Sequence, residues 1–196
     1  MERVIVAMAG SLRADSYNRR ALLAAIRGAE LAGATVRHLD LREYTLPIFD
    51  EDLETRDGLP ANARRLKDAL IGAGGILMAS PEYNSSISAV LKNTIDWASR
   101  PCTGPDGKPE PALAAFKGKV CGVMSASPGA LGGLRGLVHL RSILGNIGAI
   151  VLPDQIAVGR AHEAFDEQGQ LKDAAVRANV ESLGRRVAEL TRKVHS

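Results

Sequence analysis

The chain has 196 residues, 45% of them apolar and 24% charged, enough for one soluble domain with a substantial core, expected to span residues 1–196. No apolar run approaches the ~20 residues that cross a bilayer. Its 25 basic and 22 acidic residues leave a net charge of +3, and aromatics are only 4%. The basic residues are scattered, which argues against a nucleic-acid surface of interleaved cations and rings. It also argues against an acidic electron carrier that docks on basic partners.

In chain order, Val4 to Ala9 is a short apolar run ended by Gly10 and reads as the first strand. Nothing in Met1-Glu2-Arg3 resembles a secretory leader, so a cytoplasmic location is expected. Ala21 to about Leu31 has helical spacing, with Gly33 closing the helix. Residues 35–39 alternate and read as the second strand. Residues 42–60 hold three Pro or Gly and many acids and read as loop. Pro60 opens a helix over 60–72. A buried third strand follows at 75–80, then a helix over 88–99.

Residues 101–111 contain four prolines and two glycines and read as an excursion. The fourth strand falls at 119–124, a helix at 134–147 and a short fifth strand at 150–152. Residues 154–172 read as polar and irregular, and 174–194 as an amphipathic closing helix. Alternating strands and helices predict an α/β fold with a parallel sheet covered on both faces. Five strands suit the flavodoxin-like doubly wound order 2-1-3-4-5, with right-handed crossovers. Ligands on such sheets bind beyond the carboxyl ends of the strands, at the switch between strands one and three. The loops after strands one, three and four should therefore hold the chemistry.

The first of these loops runs from Gly10 to Asn18. Ser11, Ser16 and Asn18 offer neutral donors, Arg13 a positive fork, and the next helix its N-terminal amides, a set suited to a phosphate. It is neither a Walker loop nor a dinucleotide GxGxxG turn. An ordinary strand-to-helix turn, with Ser16 or Asn18 as a cap, would use the same residues. The loop after strand three, Ser80 to Ser88, could present backbone amides to a planar heterocycle, with Tyr83 packed on or beside it. Asn93 and Asp96 on the following helix read as internal hydrogen bonders, and Trp97 as core. The loop Ser125 to Gly133 is built of small residues that permit close approach of a flat ligand, or simple flexibility. The positive end of the helix behind it would favour negative charge there.

No catalytic side chain is expected. His38, His139, His162 and His195 all fall outside the three loops, and no Ser-His-Asp order is visible. Glu82 has no obvious second carboxylate for paired acid/base work. Cys102 and Cys121 lack a CxxC or metal spacing, so no metal is expected, and two unrelated thiols are a better reading than a disulfide. Such a site suits a cofactor that supplies its own chemistry.

Gly10-Ser11-Leu12-Arg13-Ala14-Asp15-Ser16-Tyr17-Asn18 resembles the GSxRxxSxN signature of the NAD(P)H-dependent FMN reductases. Pro81-Glu82-Tyr83-Asn84 and Leu91-Lys92-Asn93-Thr94-Ile95-Asp96-Trp97 resemble that family's PEYN and LKNAIDW motifs. The likeness covers about residues 3–150, and the bacterial quinone and chromate reductase branch looks nearest. It implies an FMN cofactor whose chemistry sits at flavin N5, with NADPH or NADH as co-substrate. It further implies a phosphate held by Ser11, Arg13, Ser16 and Asn18, an isoalloxazine held by Glu82, Tyr83, Asn84 and Ser85, largely through backbone, and Tyr17 and Pro81 also among the cofactor-binding residues. Ser127 would contact the flavin from the third loop. Acceptors would be quinones, free flavins, azo compounds or oxyanions such as chromate, and the chain would form a homodimer or homotetramer. The second reading is a flavin-binding electron carrier without NAD(P)H turnover. A third is a non-redox binder of a nucleotide or other phosphate. One departure stands out: Ser88-Ala89 replaces the family's usual Pro-Gly, which bears on the substrate side of the loop more than on FMN. Ser88 can still cap its helix.

Overall fold

A computed structural model describes residues 4–104 and 106–195. The elements, numbered in chain order, are β1 Val4–Ala9, α1 Tyr17–Leu31, β2 Val36–Leu39, α2 Glu51–Asp57, α3 Ala61–Ile71, β3 Ala73–Ala79 and α4 Ala89–Ala98. They continue with β4 Cys102–Thr103, β5 Pro109–Glu110, β6 Val120–Ala126, α5 Leu134–Asn146, β7 Ile150–Val158, α6 Ala161–Ala164 and α7 Ala174–Val194. Five strands form one parallel sheet in the order β2-β1-β3-β6-β7, while β4 and β5 form a separate antiparallel pair. With that pair set aside, this is the expected flavodoxin-like 2-1-3-4-5.

Side-chain alternation along the strands divides the core in two. Ile5, Ala7 and Ala9 of β1 face α1 and α7, together with Leu77, Val120 and Met124. Val6 and Met8 face the opposite layer, where Leu66, Leu91, Leu137 and Leu140 from α3, α4 and α5 meet Ile76, Met78 and Val123. Each fully buried aliphatic side chain here contributes about 1.5–3 kcal/mol. Helices α1 and α7 touch through glycines: a Cβ on Gly28 would lie 1.9 Å from the Glu181 carbonyl oxygen, and one on Gly184 1.8 Å from that of Ala25. Only hydrogen side chains allow this backbone-to-backbone approach.

Helix α1 ends as expected at Gly33, whose φ of +84° suits glycine. Its N–H donates to Glu30 O (2.9 Å), and the Ala34 N–H to Ala29 O (3.1 Å), which satisfies two orphan carbonyls of the last turn. Asn93 pins the segment before α2: its Oδ1 accepts from Phe49 N–H (2.8 Å) and its Nδ2 donates to Pro47 O (2.9 Å). The Trp97 indole, fully buried, donates to the same Pro47 carbonyl (2.8 Å). Asp96 instead pairs with exposed Lys92 at 2.8 Å.

Three expectations need correction. Residues 42–60 are not all loop, since they contain the helix α2 and end a 3-10 turn, Leu41–Glu43. Asp50 caps α2 by accepting from Asp52 N–H (2.9 Å), and the acids Glu51, Asp52 and Glu54 complement its dipole. The fifth strand does not stop at 152 but runs to Val158, and α6 follows, so 154–172 is only partly irregular. Pro153 interrupts β7 without ending it because β7 is an edge strand, and its register against β6 shifts between Cys121 and Val123. The excursion contains the β4–β5 pair; its Pro105 lies outside the described residues. Cys102 and Cys121 are both free thiols, and burial pushes Cys121 up to about 12.

Candidate functional site

The carboxyl ends of β1, β3 and β6 lie side by side in the sheet, and the loops that leave them enclose one cleft of about 250 Å³. It is lined by Ser11, Arg13, Ser16, Tyr17 and Asn18 from the first loop, Pro81, Glu82 and Tyr83 from the second, and Ala126, Ser127 and Pro128 from the third. Nine of the eleven residues expected at the site are therefore together. Asn84 and Ser85 lie at the tip of the second loop, outside this lining.

The first loop is braced at both ends. The Gly10 N–H donates to Ala79 O (2.8 Å), and the Ser88 hydroxyl donates to Gly10 O (2.6 Å). No side chain fits at Gly10, where a Cβ would meet Leu91 Cβ at 2.8 Å. Ser16 caps α1 by accepting from Arg19 N–H (3.4 Å), which leaves its own proton to donate. The first-turn amides of Tyr17 and Asn18 have no intrahelical acceptor, and both residues line the cleft. Arg13 is exposed; its guanidinium donates to Asp15 O (2.8 Å) and lies 4.9 Å over the Tyr17 ring. Tyr17 in turn stacks on Phe165, with ring centres 6.0 Å apart. Two hydroxyls, a guanidinium and a helix N-terminus form a donor set without carboxylates, which fits a phosphate monoester dianion.

The second loop makes a tight turn. Tyr83 N–H donates to Ser86 O (2.9 Å), Ser86 N–H to Tyr83 O (3.1 Å), and the two central residues have φ of 52° (Asn84) and 64° (Ser85). This is the two-residue hairpin turn in which both central residues are left-handed. It projects Tyr83, 58% exposed, at the mouth of the cleft.

Glu82 supplies its carboxylate elsewhere. Oε1 accepts from Arg135 Nε (3.0 Å) and Nη2 (2.7 Å), and Oε2 from the Gly136 N–H (3.0 Å). Burial works to raise its pKa, but the Gly136 amide and the Arg135 guanidinium outweigh it and hold the carboxyl below its ordinary value. The positive end of α5, expected to favour a ligand's charge, is thus already met by Glu82. What Glu82 can offer the cleft is its backbone. His139, expected to stand apart from the loops, reaches the second one through Nδ1 and Ser86 Oγ (2.9 Å).

The third loop turns on Gly132 and Gly133, with φ of +62° and +89°. A Cβ on Gly133 would fall 1.9 Å from Ser125 Oγ. Ser127 is held by its N–H to Val158 O (3.1 Å), and its Oγ accepts from Gly129 N–H (3.4 Å). The extension of β7 to Val158 therefore anchors the loop that carries Ser127. Asn18 meets this loop as well: its Nδ2 donates to Ala126 O (2.8 Å), and its Oδ1 accepts from Ala126 N–H (2.9 Å). Among the described residues no group of three or more His, Cys, Asp or Glu could hold a metal ion. No described helix is long and apolar enough to cross a membrane.

The chain is similar to known proteins in sequence and in fold. The chain is 36% identical over 174 residues to an NAD(P)H-dependent FMN reductase of Pseudomonas aeruginosa, covering 88% of this chain and 86% of that one. It is 32% identical to a quinone reductase of Pseudomonas putida, covering 86% and 84%. Among solved structures, the flavoenzyme NAD(P)H:(acceptor) oxidoreductase of Paracoccus denitrificans superposes with a TM-score of 0.77 at 26% identity, over 97% of this chain and 98% of that one. The family model described as NADPH-dependent FMN reductase matches residues 4–163, every loop of the cleft included. This chain belongs to the NADPH-dependent FMN reductase family.

Proposed function

We propose that this chain uses NAD(P)H to reduce small acceptors, with quinones first among them and free flavins, azo compounds and oxyanions such as chromate as further candidates. The observation that carries the reading is the cleft itself: three loops converge with phosphate donors on one side, backbone edges on the other, and no paired acid and base between them. FMN, when bound, supplies the two-electron chemistry between nicotinamide and acceptor. Ser11, Arg13, Ser16 and the amides of Tyr17 and Asn18 would hold its phosphate. The backbone from Pro81 to Ser85 would hold the ring edge, and Ser127 would close the other side. The residues' share is binding, orientation and shielding. Protons for an acceptor such as a quinone can come from solvent, because the cleft is open to it.

The apolar side chains Leu131, Leu134 and Val138 are exposed, Leu134 and Val138 four residues apart on α5 and Leu131 in the loop that leads into it. They support a homodimer or homotetramer that covers them. Two free cysteines are in keeping with a cytoplasmic, reducing location. The function is tested by mixing the FMN-loaded protein anaerobically with NADPH, then with NADH. Loss of the oxidised flavin absorbance, and its return on adding a quinone, are expected. A flavin that neither nicotinamide bleaches would leave the electron-carrier reading.

A further inference from the structure

Asn18 is the second residue of α1 and is 3% exposed. Its amide pairs with both backbone groups of one residue, Ala126, at 2.8 and 2.9 Å. This is the pattern by which a neighbouring strand would pair with Ala126. No strand can do so from the first loop, because β3 lies between β1 and β6. Asn18 therefore spans what the sheet leaves unjoined: the end of the phosphate loop and the start of the loop that carries Ser127. The near end of the phosphate loop is fixed independently, through Ser88 Oγ and Gly10 O (2.6 Å).

We propose that Asn18 is a positioning residue, whose side chain sets the span between the phosphate loop and the ring side of the cleft, and is not a side-chain ligand of the phosphate. The inference rests on the reading that the FMN phosphate lies in the first loop. Asn18 holds Ala126, the residue before Ser127, so losing its side chain releases the ring side of the cleft itself, and the error appears at the ring whether or not a phosphate is bound. The amide keeps one N–H and one lone pair beyond its bonds to Ala126. A direct phosphate contact would have to use that N–H, and the two roles separate experimentally.

The test compares FMN with riboflavin, which lacks the phosphate, by fluorescence titration of the apoprotein. Asn18→Ala is expected to weaken both by a similar factor, about tenfold, the loss equivalent to one or two buried hydrogen bonds. It should also shift the absorption bands of bound FMN, which report the ring's surroundings. Arg13→Ala serves as the contrast and should weaken FMN while leaving riboflavin unchanged. Asn18→Asp keeps the shape and the acceptor but loses the donor to Ala126 O. Because riboflavin is neutral, its weaker binding to that variant would reflect the span and not charge repulsion, so this variant carries the test if Asn18→Ala does not fold. An Asn18 variant that loses FMN affinity alone, with riboflavin binding and the bound spectrum unchanged, would overturn the proposal, as would a variant that changes neither. Wild-type protein that binds FMN no tighter than riboflavin would instead overturn the phosphate-loop reading.

Discussion

At the scale of single residues, the cleft divides into groups that face a ligand and groups that hold those groups. Arg13 belongs to the first kind: it is exposed, and among the described residues it is held by Asp15 O and the Tyr17 ring. Charge-assisted bonds to a phosphate contribute about 1.5–3 kcal/mol, so Arg13→Ala should weaken FMN binding by that amount in calorimetric titration. An unchanged affinity would remove Arg13 from the site. Ser85 illustrates a residue under backbone constraint, since at φ of 64° it occupies a conformation that costs an L-residue roughly 1–2 kcal/mol. Ser85→Gly should raise the melting temperature by relieving part of that cost, although glycine's greater freedom in the unfolded chain offsets some of the gain. Glu82 shows what single residues cannot reveal in a sequence. Its place in the second loop is legible, but its partners Arg135 and Gly136 are more than fifty positions away and meet it only through the sheet.

At the scale of elements, legibility followed burial. Strands β1, β3 and β6, buried along nearly their whole length, and the amphipathic α7 stand out as apolar patterns. Helix α2 has no buried residue, so no periodicity marks it; its signals are the Asp50 cap, the acids of its first turn and Gly58. The second half of β7 was hidden for a related reason: Pro153, Asp154 and Gln155 are tolerated at a sheet edge but read as loop. Helix α4 shows how a departure from a family's pattern is absorbed. Ser88 accepts from Leu91 N–H (3.3 Å) and donates to Gly10 O (2.6 Å), so one hydroxyl both caps α4 and braces the phosphate loop. A proline there has no side chain for either bond. Ser88→Ala should cost about 1–2 kcal/mol by chemical denaturation, the usual loss of a cap plus a buried carbonyl left unpaired. A loss below a few tenths would show that solvent replaces both bonds.

At the scale of the molecule, acid stability depends on carboxylates that do not line the cleft. Arg64 hydrogen bonds, helped by Cys102 and Lys67, outweigh burial and hold Glu110 at about 2, from an ordinary 4.5. Arg42, with Arg19 behind it, holds Asp40 at about 2, from 3.8. A depressed folded pKa gives stability that is complete above the unfolded value and is lost as pH falls toward the folded one. The melting temperature should therefore fall as pH drops from about 4.5 to about 2. Glu110→Gln should melt lower at neutral pH and show a shallower acid decline; an unchanged decline would mean that Glu110 contributes nothing to it. The contact of Gly28 and Gly184 has a consequence for biosynthesis. Helix α1 supports the phosphate loop, yet the surface that seats α1 against α7 leaves the ribosome roughly 150 residues later. Domains fold as units while synthesis runs from the N-terminus, so the helix behind the phosphate loop is fully seated only once α7 has been made and docked, and cofactor loading is expected to follow that docking.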